Sequence, residues 1–242
     1  MTDDTPDGSS RTNRIASYYR GVFARHGATP QGVNWNSDQA QQVRFLQLAR
    51  ILPSDGSFSV LDFGCGYGAF LPFLRSHWPN AAYTGTDVVP EMIATARTRH
   101  SNLHGVRFTF GGEKPQEADF AIFNGIFHVR QEEQTQSWEA YARATLHRVW
   151  QTTSQGIAFN VLSTYSDAER RAPHLYYGSP EDWFGWCVAT FGRHVALLHD
   201  YGLHEFTLLV RKAPSSEEVS RQPHVHPDAS SMHNGPLIPC AH

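Results

Sequence analysis

Cysteine is scarce in this chain, three residues in 242, too few for a disulfide framework in a chain of this length. There is no Cys-x-x-Cys and no compact His/Cys cluster, so no structural zinc or other metal is expected. Cys65 reads as a small residue in a glycine-rich loop, Cys187 as helical core, and Cys240 and the His224-Val-His226 triplet as solvated tail. An excess of basic charge is also missing. Lys and Arg number 20 against 23 Asp and Glu, a net charge of −3, which argues against a broad phosphate-binding surface and disfavours nucleic acid as a partner. Fourteen histidines would add positive charge only below about pH 6.5. No apolar run approaches the ~20 residues that span a bilayer. No internal repeat is present. Met1 to Asp7 is polar and acidic, unlike a signal peptide. A soluble, reduced, cytoplasmic protein without a membrane partner is the expectation.

What is present is ordinary for a folded domain: 40% hydrophobic and 12% aromatic residues. The ends differ. Residues 1–14 hold no large apolar residue after Met1, and residues 213–242 are rich in His, Pro and Ser. Neither can bury enough surface to offset the entropy of ordering, so both are read as disordered tails around a single domain over 15–212. Ile15, Tyr18, Tyr19, Val22 and Phe23 mark one helical face. After a Gly- and Pro-containing loop, Ser37 caps a second helix with an apolar face of Phe45, Leu48, Ala49 and Leu52. Strand and helix signals then alternate: strands at 58–63, 82–87, 106–110, 119–123 and 156–162, with helices at 69–78, 90–99 and 136–151 between them. This rhythm predicts a parallel α/β sheet covered on both faces. Two further strands, 194–198 and 203–210, are joined by four residues, too few for a parallel crossover, so they form an antiparallel hairpin.

The strongest chemical signal is Val60-Leu-Asp-Phe-Gly-Cys-Gly-Tyr-Gly-Ala-Phe70, directly after the first strand. Asp62, Gly64, Gly66 and Gly68 occupy alternate positions. Glycines there let the backbone turn sharply and approach a ligand, next to a helix N-terminus with free N–H groups. Asp87 ends the next strand 23 residues past Gly64, near the ~20 expected for a carboxylate that binds ribose hydroxyls. A dinucleotide fingerprint has G-x-G-x-x-G, whereas here the third glycine arrives one residue early.

The motif D-x-G-x-G-x-G, Asp87 and the closing hairpin together resemble the class I S-adenosylmethionine (AdoMet)-dependent methyltransferases, small bacterial type, over about residues 40–212. The resemblance implies a Rossmann-like, mostly parallel seven-stranded sheet with a C-terminal antiparallel hairpin, AdoMet above the C-terminal strand ends, and N-terminal lid helices over 15–54. Asp62, Gly64, Cys65 and Gly66 would line the cofactor, Asp87 its ribose hydroxyls, and Val88 its adenine. Glu113 would reach the adenine amino group or be a solvated loop carboxylate. Asn124 and Gly125 fall beside the transferable methyl, where base amino-methylases often carry Asn-Pro-Pro-Tyr or Asp-Pro-Pro-Tyr; Asn124-Gly-Ile-Phe127 departs from that. In the segment Trp35–Phe45, Trp35 is a candidate cofactor-binding residue that with Tyr18 and Tyr19 could form a lid, the two tyrosines otherwise being a core stripe. Gln41 and Arg44, three positions apart on one helical face, are candidates for the methionine end. Arg44, flanked by apolar residues, favours a buried partner such as a carboxylate, the alternative being a surface arginine with a snorkelling stem.

Catalytic candidates are His128, as general base or structural residue, and the hairpin turn His199, Asp200 and Tyr201, which the topology sends to the cofactor edge of the sheet. Asn160, Tyr176 and Tyr177 are placed on the same rim. The predicted activity is AdoMet-dependent methylation of a small-molecule acceptor at oxygen or nitrogen. The alternatives are a methyltransferase acting on RNA or protein, and a non-catalytic AdoMet-binding module. A nicotinamide oxidoreductase is opposed by the glycine spacing and the hairpin.

Overall fold

A computed structural model describes residues 8–111 and 116–213. Glu113, His224, His226, Cys240, residues 1–7 of the first expected tail and 214–242 of the second lie outside the described residues. The helices are α1 (Gly8–His26), α2 (Asp38–Ala49), α3 (Phe70–His77), α4 (Pro90–Arg99), α5 (Thr135–Trp150) and α6 (Pro180–Phe191). The strands are β1 (Ser59–Phe63), β2 (Ala82–Asp87), β3 (Val106–Phe110), β4 (Ala118–Phe123), β5 (Thr153–Ser163), β6 (Tyr177–Gly178), β7 (Val195–Leu198) and β8 (Glu205–Arg211). They form one sheet in the order β3-β2-β1-β4-β5-β8-β7, with the two-residue β6 added beside β5. The strands from β3 to β5 pair in parallel, while β8 runs antiparallel between β5 and β7. The expected antiparallel strand therefore lies inside the sheet and β7 forms its edge.

Two apolar cores cover the two faces, and strand alternation divides the side chains between them. Val60, Phe120, Ile122 and Ala158 pack with Phe45 and Leu48 of α2 and Phe70 and Leu74 of α3. Their strand neighbours Leu61, Phe63, Ala121, Phe123, Ile157 and Phe159 pack with Trp138 and Leu146 of α5 and Trp183 of α6. Because both faces are covered, the strands read as continuous apolar runs. Burying Trp138 and Trp183, both within 1% of full burial, contributes on the order of 2–3 kcal/mol each. Helix caps follow the sequence: the Ser37 hydroxyl accepts from Ala40 N at 3.1 Å, and Pro90 opens α4 at its first turn.

One boundary differs from the sequence reading. Helix α1 begins at Gly8 rather than near Ile15, so residues 8–14 are helical. Apolar periodicity does not mark these first turns because polar bonds hold them. Arg11 Nε lies 3.0 Å from both Glu133 carboxylate oxygens, and Arg14 Nη2 donates to Glu133 at 3.1 Å. The order reverses at β1 and β4, with connections leaving on opposite sides, and the crevice beyond their C-terminal ends is where open α/β sheets take ligands.

Candidate active site

A cavity occupies that crevice. The β1–α3 loop supplies Gly64, Cys65 and Gly66, and the end of β2 supplies Thr86, Asp87 and Val88. Asn124, Gly125 and Ile126 follow β4, and Thr12, Ile15 and Tyr19 come from α1. Trp35, Gln41 and Tyr141 complete much of the wall. The glycine loop is tied to β2: Gly64 N and Cys65 N donate to Thr86 O at 2.8 and 3.0 Å. Gly66 N donates to Asp87 Oδ2 at 2.8 Å, and Val89 N to Asp87 Oδ1 at 2.9 Å. Gly64 has φ +81°, and a Cβ there would stand 2.3 Å from Ile126 Cγ2. Gly125 has φ +74°, and its Cβ would stand 2.2 Å from Trp35. Both positions need glycine for conformation and for space.

Asp62 and Asp87 are both buried in this wall. Burial pushes the Asp62 carboxyl up to about 7; the Tyr83 hydroxyl, donating at 2.6 Å, opposes the rise, and the Asp87 charge adds to it. Burial likewise raises Asp87, against the N–H groups of Val89, Gly66 and Val88. Burial, with the charges of Asp62 and Asp87, pushes the Cys65 thiol well above its usual range, so it sits in the loop as a small neutral group. Gln41 is buried and hydrogen-bonds the Tyr67 phenol. Asn124 Oδ1 is buried without a partner.

Other expected site residues are placed elsewhere. The guanidinium of Arg44 is committed to protein groups and is not on the cavity wall. Its Nε and Nη2 lie 2.9 and 2.7 Å from Glu205 Oε2, and Nη1 donates to Ala40 O. The buried partner that its apolar flanks favour is the Glu205 carboxylate, and Arg44 is not a surface residue. The Tyr201 hydroxyl is 2.9 Å from Thr207 Oγ1 and 3.5 Å from Glu205 Oε1, below the rim and off the cavity. His199 and Asp200 are exposed and off the wall; β8, inserted between β5 and β7, carries their turn away from β1 and β4. His128 touches Trp35 edge-on, ring centroids 5.5 Å apart, but does not line the cavity. Burial and the nearby Arg44 charge push its imidazole down to about 3, so it is neutral. Tyr176 is core, its hydroxyl shared between Glu139 and Trp183. The Tyr177 hydroxyl accepts from Ala172 N.

The sequence reading missed Glu205, although a lone carboxylate in the apolar strand Phe206-Thr-Leu-Leu-Val210 signals a buried ion pair. Glu205 also accepts from Asn160 Nδ2 at 2.9 Å, while Asn160 Oδ1 accepts from Gly125 N at 2.6 Å. Asn160 thus links the ion pair to the end of β4. Tyr141, in the middle of α5, carries no local signal that it lines a cavity.

A glycine loop and a strand-end acid around a crevice at the strand reversal define a Rossmann-like nucleoside-cofactor protein. Residues 60–148 match the family model described as a methyltransferase domain. A putative methyltransferase of Mycobacterium tuberculosis is 42% identical over 164 residues, 68% of this chain and 99% of that protein. The trans-aconitate 2-methyltransferase of Mycobacterium sp. strain KMS is 37% identical over 83 residues, 33% of this chain and only 31% of that enzyme. Among solved structures, the magnesium protoporphyrin IX methyltransferase of Synechocystis, with bound SAH, superposes with a TM-score of 0.59. It is 12% identical, and the match covers 86% of this chain and all of that one. The chain belongs to the class I S-adenosylmethionine-dependent methyltransferases. It is an enzyme of that family, and AdoMet is its methyl donor. Among the described residues, no helix is long and apolar enough to cross a membrane.

Proposed function

We propose that the enzyme methylates a small molecule at oxygen or nitrogen, and that the crevice wall holds both reactants. The observation that carries this reading is the cover: α1 places Thr12, Ile15 and Tyr19 over the crevice and is bound through Arg11 and Arg14 to Glu133.

The wall fits AdoMet. Gly64, Cys65 and Gly66 form a cradle that a Cβ would fill, and Asp87 would accept from ribose hydroxyls. Val88 would offer an apolar side for adenine and Gln41 would hold the methionine end, leaving Trp35, Asn124 and Gly125 beside the transferable methyl, where cofactor and acceptor would meet. Asp62 and Asp87 are buried carboxylates with no cation among the described wall residues. A ligand bearing an ammonium and a sulfonium relieves that uncompensated charge. The two phosphates of NAD would worsen it. When bound, AdoMet would supply a methyl on cationic sulfur, which passes to the acceptor's oxygen or nitrogen as the C–S bond breaks, the electron pair staying on sulfur and the acceptor's proton leaving to solvent.

The protein's own part is alignment and exclusion of water. Asn160 fixes Gly125 N, and with it the end of β4, where Asn124 Oδ1 is free to accept from a ligand N–H or O–H. Trp35 packs into the space a Gly125 side chain would fill. His128, neutral and off the wall, supports Trp35. Calorimetric titration with AdoMet, S-adenosylhomocysteine and NAD tests the reading. The first two should bind in the micromolar range and NAD should not. Asp87→Ala should weaken both by about tenfold or more, the loss of a hydrogen bond to a charged acceptor. Binding of NAD, or of none of the three, overturns it.

A further inference from the structure

The trans-aconitate and malonyl-[acyl-carrier protein] methyltransferases that this chain partly resembles are named for acceptors that carry carboxylates. A site for such an acceptor needs a free cation, and the described wall has none: its charged side chains are Asp62 and Asp87. Two guanidinium groups do come close, each lying over a ring of the wall. Arg44 is 4.0 Å from the centre of the Trp35 ring, and Arg11 is 4.8 Å from that of Tyr141. Both are already neutralised, Arg44 by the fully buried Glu205 and Arg11 by Glu133.

The arrangement has a consequence. A carboxylate entering the cavity meets carboxylates and aromatic faces, and pulling Arg44 free would strand Glu205 in the core. What such a wall accepts better is an uncharged ring stacked on Trp35 or Tyr141. Asn124 Oδ1, buried, unpartnered and on the same wall, asks for a donor from the ligand.

Resting on the small-molecule reading above, we infer that the acceptor is a neutral aromatic molecule presenting a hydroxyl, of the phenol class, and is not a polycarboxylate.

The test uses the full chain saturated with S-adenosylhomocysteine at pH 7.5 and three probes: 2-naphthol, 2-naphthoate and trans-aconitate. Calorimetry should show 2-naphthol binding at least tenfold more tightly than each of the other two. A second arm uses Glu205→Gln, which keeps hydrogen-bonding atoms for Arg44 and Asn160 while removing the neutralising charge. If Arg44 is excluded from ligands by Glu205, 2-naphthoate affinity should rise at least fivefold in this variant. Tighter or equal binding of either carboxylate by the unaltered chain overturns the inference, as does failure of 2-naphthol to bind. Should the variant not fold, the three-probe comparison on the unaltered chain decides alone. Failure of S-adenosylhomocysteine to bind in the first place is a different outcome, because it removes the underlying reading.

Discussion

Asp62 offers the sharpest test of the site's electrostatics. Its carboxyl is raised from 3.8 to about 7 in the folded chain, a shift of about 3 units, or about 4 kcal/mol at 1.36 kcal/mol per unit. The sign follows from proton counting. Between pH 4 and 7 the folded state holds a proton that the unfolded state has lost, so stability is greatest below about pH 4. It falls as pH rises towards 7, then levels. Asp62→Asn removes the ionisation while its amide oxygen still accepts from the Tyr83 hydroxyl. The variant should therefore match the unaltered ligand-free protein near pH 4 and exceed it increasingly up to pH 7. With roughly 2–4 °C per kcal/mol for a chain of this size, the full 4 kcal/mol corresponds to a Tm gain on the order of 10 °C at pH 8. Water entering the cavity will screen part of that. The same substitution should cost cofactor affinity. AdoMet binding to the unaltered enzyme should weaken by up to about tenfold per pH unit below 7, as Asp62 takes up its proton, and the Asn variant should lose this dependence. Calorimetric Tm and Kd between pH 5 and 8 provide the readout. A stability difference that does not change with pH, or an AdoMet affinity flat across pH 7 in the unaltered enzyme, would refute the argument.

Arg44→Met retains apolar bulk but strands the Glu205 carboxylate, and should lower stability by about 3–5 kcal/mol in denaturant unfolding at pH 7.5; a loss under 1 kcal/mol would show that Glu205 finds water or a proton. Gly125→Ala should be destabilising both through φ +74° and through collision with Trp35. In a Trp35→Ala background only the conformational part, about 1–2 kcal/mol, should remain, so equal costs in both backgrounds would show that the collision relaxes for free. Glu133→Gln should weaken the hold of Arg11 and Arg14 on α1, detected as faster amide exchange in residues 8–14 with little change in the strands.

The sequence shows most of the fold because the sheet is buried on both faces: each strand appears as an uninterrupted apolar run, and Pro90, Ser37 and the glycines punctuate the joins. The same logic leads to part of the cavity wall, since a sharp turn after β1 needs glycine, and Gly64, Gly66 and the strand-end Asp87 all line the cavity. What lies off this pattern is decided by contacts between residues far apart in the chain. Arg44 and Glu205 are 161 positions apart, and neither has a local period that names the other. Arg11 and Glu133 likewise turn a polar stretch, which composition alone reads as tail, into the first turns of α1. His199 and Asp200 illustrate the converse: topology sends their turn to the ligand-binding edge, but that edge is several strands wide. Only the strand order, with β8 inserted between β5 and β7, shows that the turn lies away from β1 and β4. Which residues reach the crevice is therefore decided by lateral position in the sheet, and beside the carboxylates Asp62 and Asp87 its wall carries the aromatic or neutral Trp35, Asn124, Gly125 and Tyr141.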